Sequence, residues 1–134
     1  MGEGERGALA EALRLNTTLT SLDLRDNGLE GGGRALAETL RLNTTLTSLD
    51  LGSNGLGEGG GRALAETLRL NTTLTELNLY NNVVGGDAGR ALAEALRLNT
   101  TVTSLDLRDT GMEEEVRSVL GQAWGDLREG SLVF

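Results

Sequence analysis

Leucines recur along this chain in a two-residue alternation that returns at a steady interval. Leu22-Asp23-Leu24 comes back as Leu49-Asp50-Leu51, Leu77-Asn78-Leu79 and Leu105-Asp106-Leu107, at offsets of 27, 28 and 28 residues. A period of two puts Leu22 and Leu24 on one side of an extended segment and Asp23 on the other, so each copy predicts a short strand with one buried face. The stretch between copies changes period. In Gly31-Gly32-Gly33-Arg34-Ala35-Leu36-Ala37-Glu38-Thr39-Leu40 the two leucines stand four apart with alanines beside them, which predicts an amphipathic helix with a slim buried face. Asn43-Thr44-Thr45 should then close the helix, because Asn tolerates left-handed backbone and Thr favours the strand that follows. Each unit therefore reads strand, turn, helix, turn. The glycines are expected to permit a tight passage from strand into helix, and with no Gly-Lys-Ser sequence after them they do not predict a phosphate cradle.

A single strand-helix unit cannot bury its own apolar side, so such units stack, with strands parallel on one side and helices on the other. Helices are wider than strands, and the stack should curve so that the sheet lines its concave face and the helices its convex face. The full core pattern is Leu19-x-x-Leu22-x-Leu24-x-x-Asn27, repeated from Leu46 to Asn54 and Leu74 to Asn82, and once more, altered, from Val102 to Thr110. The closing Asn should tie neighbouring turns together through backbone groups that otherwise lack partners. Thr110 breaks that series and marks the array as ending. One domain over residues 1–134 follows, with a partial unit over about 1–18, units over 19–45, 46–73 and 74–101, and a last unit over 102–134 that carries a capping helix.

Between Ala8 and Met112 the unit Asn-x-Leu-Gly … Ala-Leu-Ala-Glu-x-Leu-x-x-Asn-Thr-Thr-Leu-Thr-Ser-Leu-Asp-Leu resembles the ribonuclease-inhibitor-like leucine-rich repeats. That subfamily supplies the carboxy-terminal sensor arrays of NOD-like receptors, and tropomodulin-type caps of actin filaments carry a similar array. The resemblance implies an α/β leucine-rich-repeat solenoid, a right-handed horseshoe segment, that binds proteins and needs no cofactor.

Composition narrows the function further. Twelve Arg and no Lys stand against twenty acidic residues, for a net charge of −8, which opposes binding to nucleic acid or to an anionic membrane. The chain has neither Cys nor His, which removes disulfides, the commonest metal ligands, thiol nucleophiles and a histidine base, and argues against an enzyme. Met1-Gly2-Glu3-Gly4-Glu5-Arg6 has no secretory pattern, and a soluble cytoplasmic protein is expected.

The two ends differ. Val116, Val119, Leu120, Ala123, Trp124 and Leu127 recur at helical spacing between Glu113 and Arg128, predicting a bulky last helix that caps the core together with Leu132, Val133 and Phe134. The first helix, Ala8 to Leu15, has no strand before it, so the amino end of the core is expected to be open, a route to weak self-association.

Candidate chemistry lies on the outward strand positions and the turn residues after them. The most variable columns run Arg25-Asp26, Gly52-Ser53, Tyr80-Asn81 and Arg108-Asp109, while the buried framework hardly changes. Tyr and Arg are enriched at interface hot spots, so the partner-binding set is Arg25, Asp26, Ser53, Glu76, Asn78, Tyr80, Asn81, Arg108 and Asp109; neutral drift at exposed positions is the alternative. The stacked column Asp23, Asp50, Asn78, Asp106 has the spacing of a cation or acid-pair site, but an open sheet offers no enclosure, and neither metal nor catalysis is favoured. Asn16, Asn43, Asn71 and Asn99 begin Asn-x-Thr sequences and are read as structural, not as glycan acceptors. Arg34–Glu38, Arg62–Glu66 and Arg90–Glu94 should pair along exposed helix faces. Leu15, Leu42, Leu70 and Leu98 are expected to pack between helix ends, with a stacked leucine stripe along the lower edge as the alternative. The resulting reading is a rigid protein-binding surface, with a self-assembling scaffold joined through its ends as the alternative.

Overall fold

A computed structural model describes residues 1–125 and 129–134. Helices and strands alternate without exception: α1 (Glu3–Leu15), β1 (Ser21–Asp23), α2 (Gly33–Leu42), β2 (Ser48–Asp50), α3 (Gly57–Leu70), β3 (Glu76–Asn78), α4 (Gly85–Leu98), β4 (Ser104–Asp106), α5 (Glu114–Trp124) and β5 (Ser131–Val133). The strands form one parallel sheet in the order β1-β2-β3-β4-β5. Its register is the sequence period itself, since Leu22 sits opposite Leu49, Leu49 opposite Leu77, and Leu77 opposite Leu105.

The core is a leucine stack between the sheet and the helices. Leu49, Leu77 and Leu105 from the strands meet Leu36, Leu40, Leu64, Leu68, Leu92 and Leu96 from the helices, and all are buried. Each such side chain contributes about 1.5–3 kcal/mol by leaving water. The helices that carry them run side by side, α1 against α2, α2 against α3, and so on to α5.

Polar ladders fasten one unit to the next. Asn54 Nδ2 donates to the Leu24 carbonyl in the preceding unit at 2.9 Å and to its own Leu51 carbonyl at 3.0 Å, while its Oδ1 accepts from Asn27 N–H at 2.9 Å. Asn82 repeats this toward Leu51 and Asn54. At Thr110 the ladder stops, its hydroxyl turning back to the Leu107 carbonyl.

The second asparagine series behaves differently from the expectation. Asn43, Asn71 and Asn99 end their helices in extended backbone, with φ of −72°, −74° and −78°, and not in the left-handed region. Their side chains do the capping. Asn43 Oδ1 accepts from the N–H of Thr45 (3.0 Å) and Leu46 (2.8 Å), and its Nδ2 donates to the Leu13 carbonyl of the preceding helix at 2.9 Å. These three amides are buried, which accounts for an Asn in each unit without a glycan.

Three further expectations are corrected. The first helix begins at Glu3 and not at Ala8, with Glu3 and Glu5 in its first turn complementing the positive helix end. The glycine runs divide: Gly31 and Gly32 form the turn into α2 as expected, Gly31 at φ +75°, whereas Gly59 to Gly61 lie inside α3, where small residues let neighbouring helices approach, and a Cβ at Gly61 would fall 2.7 Å from the Cβ of Val84. The last helix ends at Trp124, followed by Gly125 at φ +75°. Leu127, counted as part of that helix, lies outside the described residues. Beyond them β5 adds an unforeseen strand, Leu132 opposite Leu105, and Val133 and Phe134 stay half exposed beside it.

Candidate functional site: the strand face

The outward side chains of β1 to β4 and of the turn just after each strand form one continuous polar surface. Its floor is the column Asp23, Asp50, Asn78, Asp106. Each of these accepts at Oδ1 from the backbone N–H two residues on, at 3.0, 2.9, 2.8 and 3.0 Å, which fastens the strand into its turn. Asp or Asn at this position is thus required by local backbone geometry. Asn78 Nδ2 adds a bond to Asp50 Oδ2 at 3.1 Å.

Arg25 and Arg108 are held by the acid two residues before them. Arg25 Nη2 lies 2.7 Å from Asp23 Oδ2, and its Nε lies 3.4 Å from Asp50. Arg108 Nη2 lies 2.7 Å from Asp106 Oδ2, and its guanidinium stands 5.3 Å from the ring centroid of Tyr80, one unit away. Hydrogen bonding from the Arg108 side chain keeps the Asp106 carboxyl below the usual aspartate range, and Arg25 does the same for Asp23. Both guanidiniums are correspondingly raised, first by the hydrogen bond from each to its aspartate.

The predicted set is therefore only partly brought together. Tyr80 and Arg108 stack; Asn81 Nδ2 reaches Ser53 Oγ at 3.2 Å; Glu76 receives a bond from Ser48 Oγ at 3.3 Å. With Asn78 and Asp50, Glu76 lines a shallow depression of about 240 Å³ at the centre of the face. Arg25 stands at the β1 side, in the cluster with Asp23 and Asp50. Among the described residues, Asp26 and Asp109 make no side-chain hydrogen bond to the others. They share a different property with Ser53 and Asn81: all four hold left-handed backbone, at φ 55°, 55°, 54° and 55°. Short polar residues tolerate that conformation best, so the backbone restricts what this column can contain. Asp23 and Asp106, which fix the two arginines, were left out of the predicted set. The Asp-x-Arg spacing in Leu-Asp-Leu-Arg was the available signal.

On the opposite face two expectations fail. Arg34, Arg62 and Arg90 do not pair with the Glu four residues later. Arg62 bonds Glu58, four residues before it in the same helix, at 2.6 Å, and the close helices bring acids of the neighbouring unit within reach, Asp87 at 3.1 Å from Arg62 and Glu115 at 3.6 Å from Arg90. Leu15, Leu42, Leu70 and Leu98 do not pack between helix ends: they are 64, 63, 47 and 62% exposed. Two positions past a buried Leu is 200° around the helix, which turns each toward solvent.

A parallel sheet backed by helices, with the turns of successive units tied together by asparagines until Thr110 ends the series, defines a solenoid of repeated strand-helix units. The Leucine Rich repeat family model matches residues 15–36, 42–65, 70–93 and 98–115, well over half the chain, and the protein belongs to that family. Among solved structures it is similar to the one titled "Leiomodin-1 Actin-Binding Site 2 (ABS2)", at 29% identity and a TM-score of 0.75, covering 96% of this chain and 77% of that one. The tropomodulin C-terminal domain from Caenorhabditis elegans, at 15% identity and a TM-score of 0.55 over 89% of this chain and 90% of that one, shares the fold. No curated protein matches the sequence.

Proposed function

We propose that this protein is a non-catalytic binding module that presents its strand face to a protein partner, with Arg25, Tyr80, Asn81 and Arg108 making the principal contacts. The observation that carries this reading is the Tyr80–Arg108 stack. An aromatic ring and a guanidinium, the residue types that most often anchor protein interfaces, are pre-ordered by Asp106 on an exposed rigid surface. The repeat consensus supports a place in the ribonuclease-inhibitor-like subfamily. The leiomodin-1 structure, whose title names an actin-binding site, makes actin the first partner to test. Labelled protein titrated with monomeric and filamentous actin should bind one of them, and Arg25→Ala, Tyr80→Ala, Arg108→Ala combined should weaken binding at least about tenfold. Binding unchanged by the triple substitution contradicts the strand-face reading; no binding to either form removes actin as the partner.

A second reading is favoured by the sheet edges. Leu22 and Leu132, on the outer strands β1 and β5, are only partly buried where Leu49, Leu77 and Leu105 are sealed. Unpaired strand edges template association, here into a scaffold of like chains. Light scattering that gives a monomer mass at high protein concentration rejects it.

A further inference from the structure

Each helix from α1 to α4 ends on a leucine that the core does not use. Leu15, Leu42, Leu70 and Leu98 are all exposed, and because the helices run side by side the four form a stripe along one edge of the solenoid. A single exposed leucine is ordinary, but the same exposure at the same position of four successive units makes a continuous apolar line, the kind of feature that marks a contact surface. Leu42 and Leu70 border a cleft of about 400 Å³ between the ends of α2 and α3, and Glu38 and Arg41 complete its lining.

Charge selects the occupant. Each of these leucines directly follows an Arg and stands four residues after a Glu, so the stripe is flanked by the two signs in equal number and the net charge of −8 resides on the rest of the chain. Two copies of the chain therefore repel each other over most of their surface and least along this band. In α1 and α3 the flanking charges pair within the helix, Glu11 with Arg14 at 2.6 Å and Glu66 with Arg69 at 2.7 Å. The same Glu-x-x-Arg spacing stays open in α2: among the described residues neither Glu38 nor Arg41 makes an ion pair, and Arg41 acts on Glu66 of α3 only from a distance. The cleft thus combines apolar side chains with one open acid and one open base, a composition complementary to itself.

We infer that the protein forms a weak twofold dimer through this stripe, the cleft of one copy seated on the cleft of a second. A line maps onto itself under a twofold axis that crosses it. An axis between Glu38 and Arg41 sets Arg41 of each copy against Glu38 of the other, with Leu42 and Leu70 of both copies packed beside the two ion pairs. Four leucines fall well short of the ~800 Å² per partner of a standard stable interface, so the dimer is populated only at high protein concentration. The strand face takes no part in this contact. Nor do the sheet edges, whose head-to-tail pairing would extend without closing, whereas a twofold contact stops at two copies.

Sedimentation equilibrium of the full chain, run up to about 1 mM protein, should show a mass that rises toward twice the monomer and stops there. Leu42→Ser combined with Leu70→Ser should weaken the dimer at least about tenfold, with the circular dichroism unchanged because both side chains stand outside the core. Arg41→Glu and Glu38→Arg should each weaken self-association at least about fivefold, the second even though it brings the net charge of the chain closer to zero. An equimolar mixture of those two variants should dimerise again, since each copy then offers the signs that the other lacks. A monomer mass throughout overturns the inference, as does self-association that survives the double serine substitution or a mixture no tighter than its components. A mass that grows past the dimer also overturns it and assigns the contact to the sheet edges.

Discussion

Gly33 and Gly60 face each other across the α2–α3 interface so closely that a Cβ at Gly33 would stand 2.7 Å from the Gly60 Cα. The helices are packed at a distance only glycine allows there, since the obstructing atom is backbone and cannot rotate away. Gly33→Ala should therefore destabilise the protein by about 1–3 kcal/mol. Gly59→Ala, where a Cβ meets nothing within 4 Å, should stabilise it by about 0.5–1 kcal/mol. Urea midpoints of the two variants, moving in opposite directions, check this.

The asparagine ladder should dominate the stability of the turns. Asn82 is fully buried, and its removal strands the N–H groups of Asn54 and Leu56 together and leaves the Leu51 carbonyl with its bond from Asn54 Nδ2 alone. Asn82→Ala should cost about 3–5 kcal/mol, several orphaned groups adding to the lost packing. Asn27→Ala, at the edge of the same ladder and bonded only within its own turn through Nδ2, should cost less than half as much. Denaturant unfolding of both variants decides the order.

The left-handed column separates backbone demand from ligand choice. Asn81→Gly should leave stability within about 0.5 kcal/mol, because glycine accepts φ 55° freely, whereas Asn81→Val should lose about 1–2 kcal/mol. If the valine variant is as stable as the parent, the residue types in this column are not set by the backbone.

Acid should loosen the Asp106–Arg108 pair. The Asp106 carboxyl is held below the ordinary value of 3.8 by the Arg108 side chain, so the folded state keeps its proton off more readily than the unfolded chain. The stabilisation is then fully present above the unfolded value and is lost as pH falls through the lower, folded one. Carbon-detected titration of Asp106 should show a midpoint below 3.8, and Arg108→Gln should bring it back up.

Much of this architecture was legible because the leucine period leaves few choices. Leu22, Leu49, Leu77 and Leu105 had to share a face, and units of one length had to stack in register. Elements that depend on a neighbouring unit were not legible. The glycine run at Gly57 to Gly61 reads as a loop by intrinsic preference, yet it is helical in α3, where Gly61 lies against Val84. Ser131-Leu132-Val133 is too short to show alternation, and it becomes a strand because the β4 edge offers partners, as in the 2.7 Å bond from Ser131 N–H to the Thr103 carbonyl. The exposed Leu15, Leu42, Leu70 and Leu98 were misassigned for a related reason: apolar character said to bury them, while their angle on the helix turns them outward. On the strand face, Tyr80 and Arg108 stood out by differing between repeats. Their stacking follows from the register that sets β3 beside β4, which a single repeat does not carry.

The strand-face claim is tested most directly by affinity capture from a lysate of the source organism. The parent protein is run beside a variant that combines Arg25→Ala, Tyr80→Ala and Arg108→Ala. The account predicts a protein retained by the parent and lost from the variant, with both baits equally folded by circular dichroism. Capture of the same proteins by both baits would contradict it and move the binding surface off the strand face.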